Sequence, residues 1–120
     1  MKEVKAYVRL TSLEEVVAAL RQAGYCCMSI IDVSGLGNLM DPEQATYSLE
    51  FVQKMSKVAK IELACKDDDA ERVVEVIKKH GRSGMAGDGI IFVHPIEKAI
   101  KIRTGDTGEG VLQTQSGIDA

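Results

Sequence analysis

The sequence contains no tryptophan, and its other aromatic residues are three tyrosines and two phenylalanines among 120 residues. Proteins that bind single-stranded nucleic acid without sequence preference stack bases on several aromatic side chains. The formal net charge of −3 also lacks the basic excess that is typical of proteins binding nucleic acid or anionic membranes. We therefore expect no nucleic acid among the partners of this protein.

Long hydrophobic runs are also missing. None approaches the roughly 20 residues that a helix needs to span a bilayer. The first ten residues, MKEVKAYVRL, carry charge throughout, which is not typical of a signal peptide. We expect a cytoplasmic protein that does not insert into the membrane. A hydrophobic fraction of 45% and a charged fraction of 28% are typical of a globular domain.

Cysteine is scarce, with Cys26, Cys27 and Cys65 the three in the sequence. An odd number without a secretion signal does not indicate a disulfide framework. There is no CxxC motif, and His80 and His94 are far apart, so the sequence predicts no metal site. We interpret the cysteines as small apolar side chains; a role in soft-metal binding or redox chemistry remains the alternative.

Hydrophobic periodicity predicts six elements in the order β-α-β-β-α-β. The predicted elements are strand 2–9, helix 11–24, strand 28–33, strand 58–65, helix 66–81 and strand 90–95. Thr11 or Ser12 is expected to cap the first helix, and Asp67 or Asp68 the second. The order indicates an α+β protein with the ferredoxin-like split βαβ fold, a four-stranded antiparallel sheet with both helices on one face. We predict one domain over 1–111 and a mobile C-terminal tail over 112–120.

Two features of this fold indicate contacts with other protein chains. A long loop of about 36–54 separates strands 2 and 3, and loops of that length are usually functional or disordered. The sheet face opposite the helices needs cover, and Tyr7, Ile31 and Ile91 indicate that this face is apolar. Packing such faces together in an oligomer would provide that cover.

The stretch GRSGMAGDGIIFV, residues 81–93, has four glycines in nine residues before an apolar run. Glycines of this density fit either a hairpin turn or a loop whose N–H groups hold phosphate. Lys101 and Arg103 are predicted to lie on the same side of a brief basic strand, and Arg82 adds a third cation. The alternative for the two strand cations is a solvated edge that blocks aggregation.

The glycine-rich stretch is not a Walker A motif, because no GK[ST] follows it and it precedes a strand instead of a helix. The sequence also has no HExxH motif, no recognisable Ser-His-Asp order and no obvious general base near the glycines. We therefore predict a binding site and not a catalytic one.

The same stretch, followed by PIEKAIKIRTGDTGEG, resembles the nucleotide-binding loop and C-terminal signature of the P-II signal-transduction family. LEEVVAALRQAG, GLG and AKIEL fall where that family has its first helix, its long-loop entry and its third strand. The resemblance covers residues 1 to about 111. It implies a homotrimer with ADP or ATP in three inter-subunit clefts. It also implies a long loop that docks on a transporter or metabolic enzyme, as in control of nitrogen metabolism.

The resemblance also implies a set of nucleotide-binding positions: a loop entry, an acid near the adenine, a phosphate loop and a phosphate-binding arginine. Lys101 stands where the family usually has arginine, which keeps the charge but loses the bidentate fork. The matching residues are Gly35, Gly37, Glu62, Arg82, Ser83, Gly84, Gly87, Asp88, Gly89, Lys101 and Arg103.

Five further positions depart from the family pattern. Asn38 replaces a basic residue, and Ile90 replaces a lysine that contacts phosphate. Leu39 replaces a glutamine of the Mg²⁺ and 2-oxoglutarate site, and Val58 replaces a lysine that helps hold 2-oxoglutarate. Phe51 replaces the tyrosine that is uridylylated in some members.

These departures change the expected ligands. We expect binding of ADP, AMP or ATP, with the role of Mg²⁺ left open, and loss of both 2-oxoglutarate sensing and uridylylation. The alternative is a P-II-shaped interaction module that binds no nucleotide and senses a metal or another small molecule.

Overall fold

In the part of the chain that the structure describes, four strands and two helices follow one another in the predicted order β-α-β-β-α-β. The computed structural model describes residues 1–25, 27–34 and 57–112. The elements are β1 Lys2–Arg9, α1 Leu13–Gln22, β2 Ser29–Ser34, β3 Lys57–Cys65, α2 Ala70–Gly81 and β4 Gly89–Pro95. The predicted long loop and all but the first residue of the predicted tail lie outside the described residues.

The four strands form one antiparallel sheet in the order β2-β3-β1-β4. This confirms the ferredoxin-like split βαβ fold. The register between β1 and β4 pairs Val8 with Gly89 and Lys2 with Pro95. The first residue of β4 therefore lies beside the end of β1, and its last residue lies at the opposite end of the sheet.

The core lies between one face of the sheet and the two helices. Alternate residues of β1 and β3 point into it, and each helix contributes a stripe at helical spacing. Burial of each large apolar side chain contributes about 1.5–3 kcal/mol. The largest side chains that are fully buried there are Leu20, Ile61, Ile77, Val4, Val16 and Val73.

The helix ends agree only in part with the prediction. Gly24 terminates α1 at a φ of 104°. The N–H of Tyr25 donates to the Leu20 carbonyl at 2.9 Å, and that of Gly24 donates to Arg21 at 3.0 Å, which is a Schellman motif. The predicted caps are wrong at the start of both helices. Thr11 and Ser12 lie in a short 3₁₀ turn, and Ser12 precedes α1 without a side-chain capping bond. Asp67 and Asp68 lie in a second 3₁₀ turn, and Asp69 precedes α2 without such a bond.

The predicted basic strand at Lys101 is also wrong. Residues 101–104 form a turn, in which the Lys101 N–H donates to the Asp106 carbonyl at 2.8 Å and the Gly105 N–H donates to the Lys101 carbonyl at 2.7 Å. Ile100 and Thr107 form an isolated bridge across it. We call residues 100–107 the C-terminal hairpin. Strand alternation therefore does not place the Lys101 and Arg103 side chains together.

The open face of the sheet carries different β4 residues from those expected. Ile91 pairs with Ala6 and packs against the core, so its placement on the open face was wrong. Because Gly89 lies opposite the buried Val8, the even-numbered β4 residues face the other way. Phe92 lies there with its ring edge-on to Tyr7, at 6.2 Å between centroids. The face is partly apolar, as predicted, but its apolar β4 residues include Phe92 and not Ile91.

Neither α1 nor α2, nor any shorter helix among the described residues, is long and apolar enough to cross a bilayer.

Gly89 is the glycine that the sheet requires most. Its φ is 104°, and a Cβ at this position would lie 1.7 Å from the Tyr7 carbonyl oxygen. Gly84 provides a matched case, because its φ is 86° but a Cβ there would have nothing within 4 Å. The two positions therefore share the left-handed backbone, and only Gly89 adds a close approach to another strand.

We predict that Gly89→Ala destabilises the protein much more than Gly84→Ala, for which left-handed strain alone costs about 1–2 kcal/mol. The added loss at Gly89 would come from separating β4 from β1. Urea denaturation of both variants at one subunit concentration measures the difference. Equal losses would show that the close approach does not matter.

Candidate functional site

Residues 82–88, which we call the glycine loop, connect α2 to β4. Its conformation explains its composition, because Gly84 and Gly87 have φ values of 86° and 96° and Gly89, which follows, has 104°. Residues with a Cβ rarely adopt such angles. The glycines are therefore required by the backbone path of the loop.

The carboxylate of Asp88 lies at the centre of this loop. Oδ2 accepts the backbone N–H groups of Ser83 and Gly84, each at 2.9 Å. Oδ1 accepts the Ser83 hydroxyl and, at 3.1 Å, the Arg9 Nε–H. The Asp88 side chain is 24% exposed. The loop is thus folded around its own carboxylate.

These contacts determine the charge of Asp88. Partial burial alone would raise the pKa of this carboxyl group. Hydrogen bonds from Ser83, Arg9 and the N–H of Gly84 favour the ionised form more strongly and lower the pKa from 3.8 to about 2. Asp88 is therefore an anion at neutral pH.

Arg9 was not among the predicted site residues. It is the last residue of β1, and its guanidinium donates from Nε to Asp88 and from Nη2 to the Ala86 carbonyl oxygen. A cation at the end of one strand, beside the first residue of its antiparallel neighbour, is the signal that could have identified it. Recognising that signal requires the register between β1 and β4.

The internal hydrogen bonds divide the loop into two parts. Ser83 and Gly84 donate their N–H groups to Asp88, and the Met85 N–H donates to Ser83 Oγ at 3.2 Å. None of the hydrogen bonds described in the loop uses the N–H of Ala86 or Gly87. An oxyanion would find donors in this second part, next to backbone without a bulky side chain.

A cleft of about 580 Å³ lies beside the loop, between α2 and β4. Its wall is mainly apolar, and Arg82 and Lys78 provide cations at its edge. The residues lining it are Tyr7, Val8, Val74, Ile77, Lys78, Gly81, Arg82, Asp88, Gly89, Ile90, Ile91 and Val93. A cleft of this size and character is suited to a small organic ligand with an anionic group.

The other predicted site residues lie elsewhere. Glu62 is on the open face of β3, where its Oε1 is 3.1 Å from Lys60 Nζ. Lys101 and Arg103 belong to the C-terminal hairpin, which follows the end of β4 opposite the glycine loop. Those two ends are separated by the length of β4, about 20 Å for its seven residues. Gly35 and Gly37 lie outside the described residues.

In the part of the chain that the structure describes, no group of three or more His, Cys, Asp or Glu side chains is arranged to hold a metal ion. Cys65 is buried in the core, and burial raises the pKa of its thiol. Cys27 is half-buried, and Cys26 is outside the described residues.

The low pKa of Asp88 predicts acid-sensitive stability. The ionised form stabilises the fold fully above pH 3.8, and this contribution is lost as the pH falls through about 2. At this partly exposed site we expect about 1–2 kcal/mol. Asp88→Asn should remove that pH dependence and, because the amide cannot accept all four bonds, lower stability at pH 7 by about 1–3 kcal/mol.

Denaturant unfolding between pH 2 and 7 measures this contribution. The matched control is Asp32→Asn, which alters an exposed carboxylate on β2. Retention of the wild-type acid dependence in Asp88→Asn would contradict the assigned role of this carboxylate.

The chain is similar to known proteins over most of its length. A family model described as nitrogen regulatory protein P-II matches residues 1–106. The nitrogen regulatory protein P-II of Cereibacter sphaeroides is 39% identical over 116 residues, covering 93% of this chain and 100% of that protein. P-II 2 of Methanothermobacter thermautotrophicus is 35% identical, covering 91% and 95%.

A solved structure agrees with these relatives. The crystal structure of Arabidopsis thaliana PII bound to citrate is similar with a TM-score of 0.72 and 30% identity, over 91% of this chain and 86% of that chain. The match of the family model to most of the sequence, the curated relatives and the shared fold together show that this chain belongs to the P-II nitrogen regulatory protein family.

Proposed function

We propose that this protein is a homotrimeric regulator that binds ADP, AMP or ATP between its subunits and controls a transporter or metabolic enzyme through its long loop. P-II proteins are non-enzymatic signal transducers, and members of the family form homotrimers that regulate partner proteins. The family generally binds adenine nucleotides. The proposal extends these family properties to the present chain.

The observation that carries the proposal is the glycine loop. Its backbone is already shaped by Asp88 and by two positive-φ glycines, Gly84 and Gly87, so a ligand would not have to order it. The N–H groups of Ala86 and Gly87 are suited to phosphate oxygens. Arg82, at the edge of the adjoining cleft, adds positive charge.

Two features support a site shared between subunits. The C-terminal hairpin follows the opposite end of β4 from the glycine loop, so we propose that Lys101 and Arg103 reach the phosphates bound to a second copy. Apolar side chains near that strand are also exposed: Val93 on β4 by 47%, Ile102 on the hairpin by 100%. Association of copies would bury them.

The sequence departures suggest the ligand preference. Asn38, Leu39 and Ile90 lack groups that the family uses at the terminal phosphate and metal, so ATP should lose more affinity than ADP. Leu39 and Val58 remove polar contacts for 2-oxoglutarate, and Val58 is an apolar side chain that is 3% exposed. Phe51 has no hydroxyl to accept a nucleotidyl group.

One observation favours the second candidate, a P-II-shaped interaction module without nucleotide. Ser83 and Gly84 are both predicted nucleotide-binding residues, but their N–H groups already donate hydrogen bonds to Asp88. Fewer donors are then available to phosphate than the number of glycines suggests. Under this alternative the long loop and the cleft would serve a partner protein, a metal or another small molecule.

Light scattering tests the trimer. We expect three times the 13.0 kDa mass of one chain at micromolar concentration. Phe92→Asp should weaken association, because it places a charge on the open face of the sheet, where Phe92 is 43% exposed. Ala18→Asp, at an exposed position of α1, is the control and should leave the mass unchanged. A stable wild-type monomer would contradict any site shared between subunits.

Calorimetry with ADP and ATP, with and without Mg²⁺ and 2-oxoglutarate, tests the ligands. We expect ADP to bind and 2-oxoglutarate to add nothing to ATP affinity. Arg103→Ala should weaken ADP by about tenfold or more, the loss of one charge-assisted bond, while Arg21→Ala on α1 should not. Strong enhancement by 2-oxoglutarate would contradict the loss of that sensing. Failure of every adenine nucleotide to bind would favour the interaction module.

A further inference from the structure

We propose that Arg9 is a positioning residue of the nucleotide site, which holds the second part of the glycine loop ready for phosphate and offsets the charge of Asp88. This inference rests on the proposed nucleotide binding. It adds to that function a residue outside the loop whose side chain fixes the loop from the neighbouring strand.

The geometry gives Arg9 two anchoring points. Its Nε is 3.1 Å from Asp88 Oδ1, and its Nη2 donates to the Ala86 carbonyl oxygen. These partners lie on either side of Gly87. The Ala86 carbonyl and the Gly87 N–H belong to the same peptide plane, so the bond from Nη2 restrains the direction of the Gly87 N–H, the group we assign to phosphate. The bond from Nε to the Asp88 side chain holds the residue that follows Gly87.

The anchor is itself well supported. Arg9 ends β1, the strand that pairs with β3 on one side and β4 on the other. The preceding residue, Val8, is buried in the core. Movement of the loop relative to Arg9 would therefore require movement relative to the centre of the sheet.

The positive charge of Arg9 has a second effect, because it lies beside the carboxylate of Asp88. Asp88 is ionised at neutral pH, and it lies within the loop that is proposed to hold an anion. An unpaired carboxylate there would repel phosphate. The Arg9 cation at 3.1 Å offsets that repulsion without occupying the N–H groups of Ala86 or Gly87.

Substitution of Arg9 by lysine separates positioning of the loop from compensation of the Asp88 charge. Arg9→Lys keeps the positive charge, but its single ammonium cannot reproduce the planar fork that joins Asp88 to Ala86. Arg9→Ala removes both effects. A role in positioning predicts that Arg9→Lys binds more tightly than Arg9→Ala and less tightly than the wild type.

The test measures dissociation constants for ADP, AMP and adenosine with the full chain. In Arg9→Ala we expect about tenfold or greater loss for ADP, a smaller loss for AMP and little change for adenosine, because the defect acts on phosphate contacts. Arg21→Ala controls for removing a surface cation. A merely structural role would weaken all three ligands alike and would overturn the inference.

Hydrogen exchange without nucleotide provides a second readout. Arg9→Ala should speed exchange of the Ser83 and Gly84 amides, which donate to the Asp88 carboxylate that Arg9 holds, while leaving amides of the β1–β3 ladder protected. Arg9→Lys should have a smaller effect. If Arg9→Ala does not fold, Arg9→Lys carries both measurements. Unchanged exchange in the loop would overturn the positioning role.

The outcomes distinguish the two proposals. Wild-type binding of ADP with unaltered affinity in Arg9→Ala and Arg9→Lys would overturn the role of Arg9 alone. No binding of any adenine nucleotide by the wild type would overturn the proposed function, and the role of Arg9 with it. Selective loss of phosphate-dependent affinity, together with faster exchange at Ser83 and Gly84, would support both.

Discussion

The site depends on the hydrogen bonds that the Asp88 carboxylate accepts. A partly buried carboxylate is costly unless its oxygens are hydrogen-bonded, and this one accepts bonds from Ser83, Gly84 and Arg9. Those donors come from the segment after α2 and from the end of β1. Satisfying one anion thus brings together a helix end, a loop and a strand end, and the positive-φ glycines allow the backbone to follow.

β1 provides the frame to which the loop is attached. At the α2 end, Gly81 is buried, and a Cβ there would be 3.6 Å from side-chain atoms of Val8 and Val16. At the β4 end, Gly89 lies against the carbonyl of Tyr7. Arg9 holds the middle. The loop is therefore fixed to one central strand at its beginning, middle and end, which explains how a glycine-rich segment has a defined conformation.

Most of the fold was predictable from the sequence, because the apolar periods of two and 3.6 residues are local signals that the core uses directly. The predictions were wrong where the structure depends on geometry that the periodicity of apolar residues does not specify. Ile91 was placed on the wrong face because the phase of β4 is set by Gly89 opposite Val8. Lys101 and Arg103 alternate in sequence, but a tight turn closed by Gly105 lies there instead of a strand.

The glycine loop was predictable as a feature, but its internal chemistry was not. Its glycine content and Asp88 are visible in the sequence, whereas the direction of the carboxylate depends on a loop that folds back onto it. The partnership with Arg9 crosses 79 positions of sequence. Such a contact follows only from a strand register, and no local pattern encodes that register.

The arrangement separates the shape of the site from its ligand preference. Asp88, Ser83 and Arg9 are engaged with one another, so they shape the loop whatever ligand approaches it. Ile90 lines the cleft beside the loop, and its apolar side chain takes no part in that network. Substitutions at cleft-lining positions can therefore alter which anion is accepted while the backbone donors remain in place. This physical independence is why a chain that departs from the family pattern at ligand positions can keep the preformed loop that we propose for phosphate.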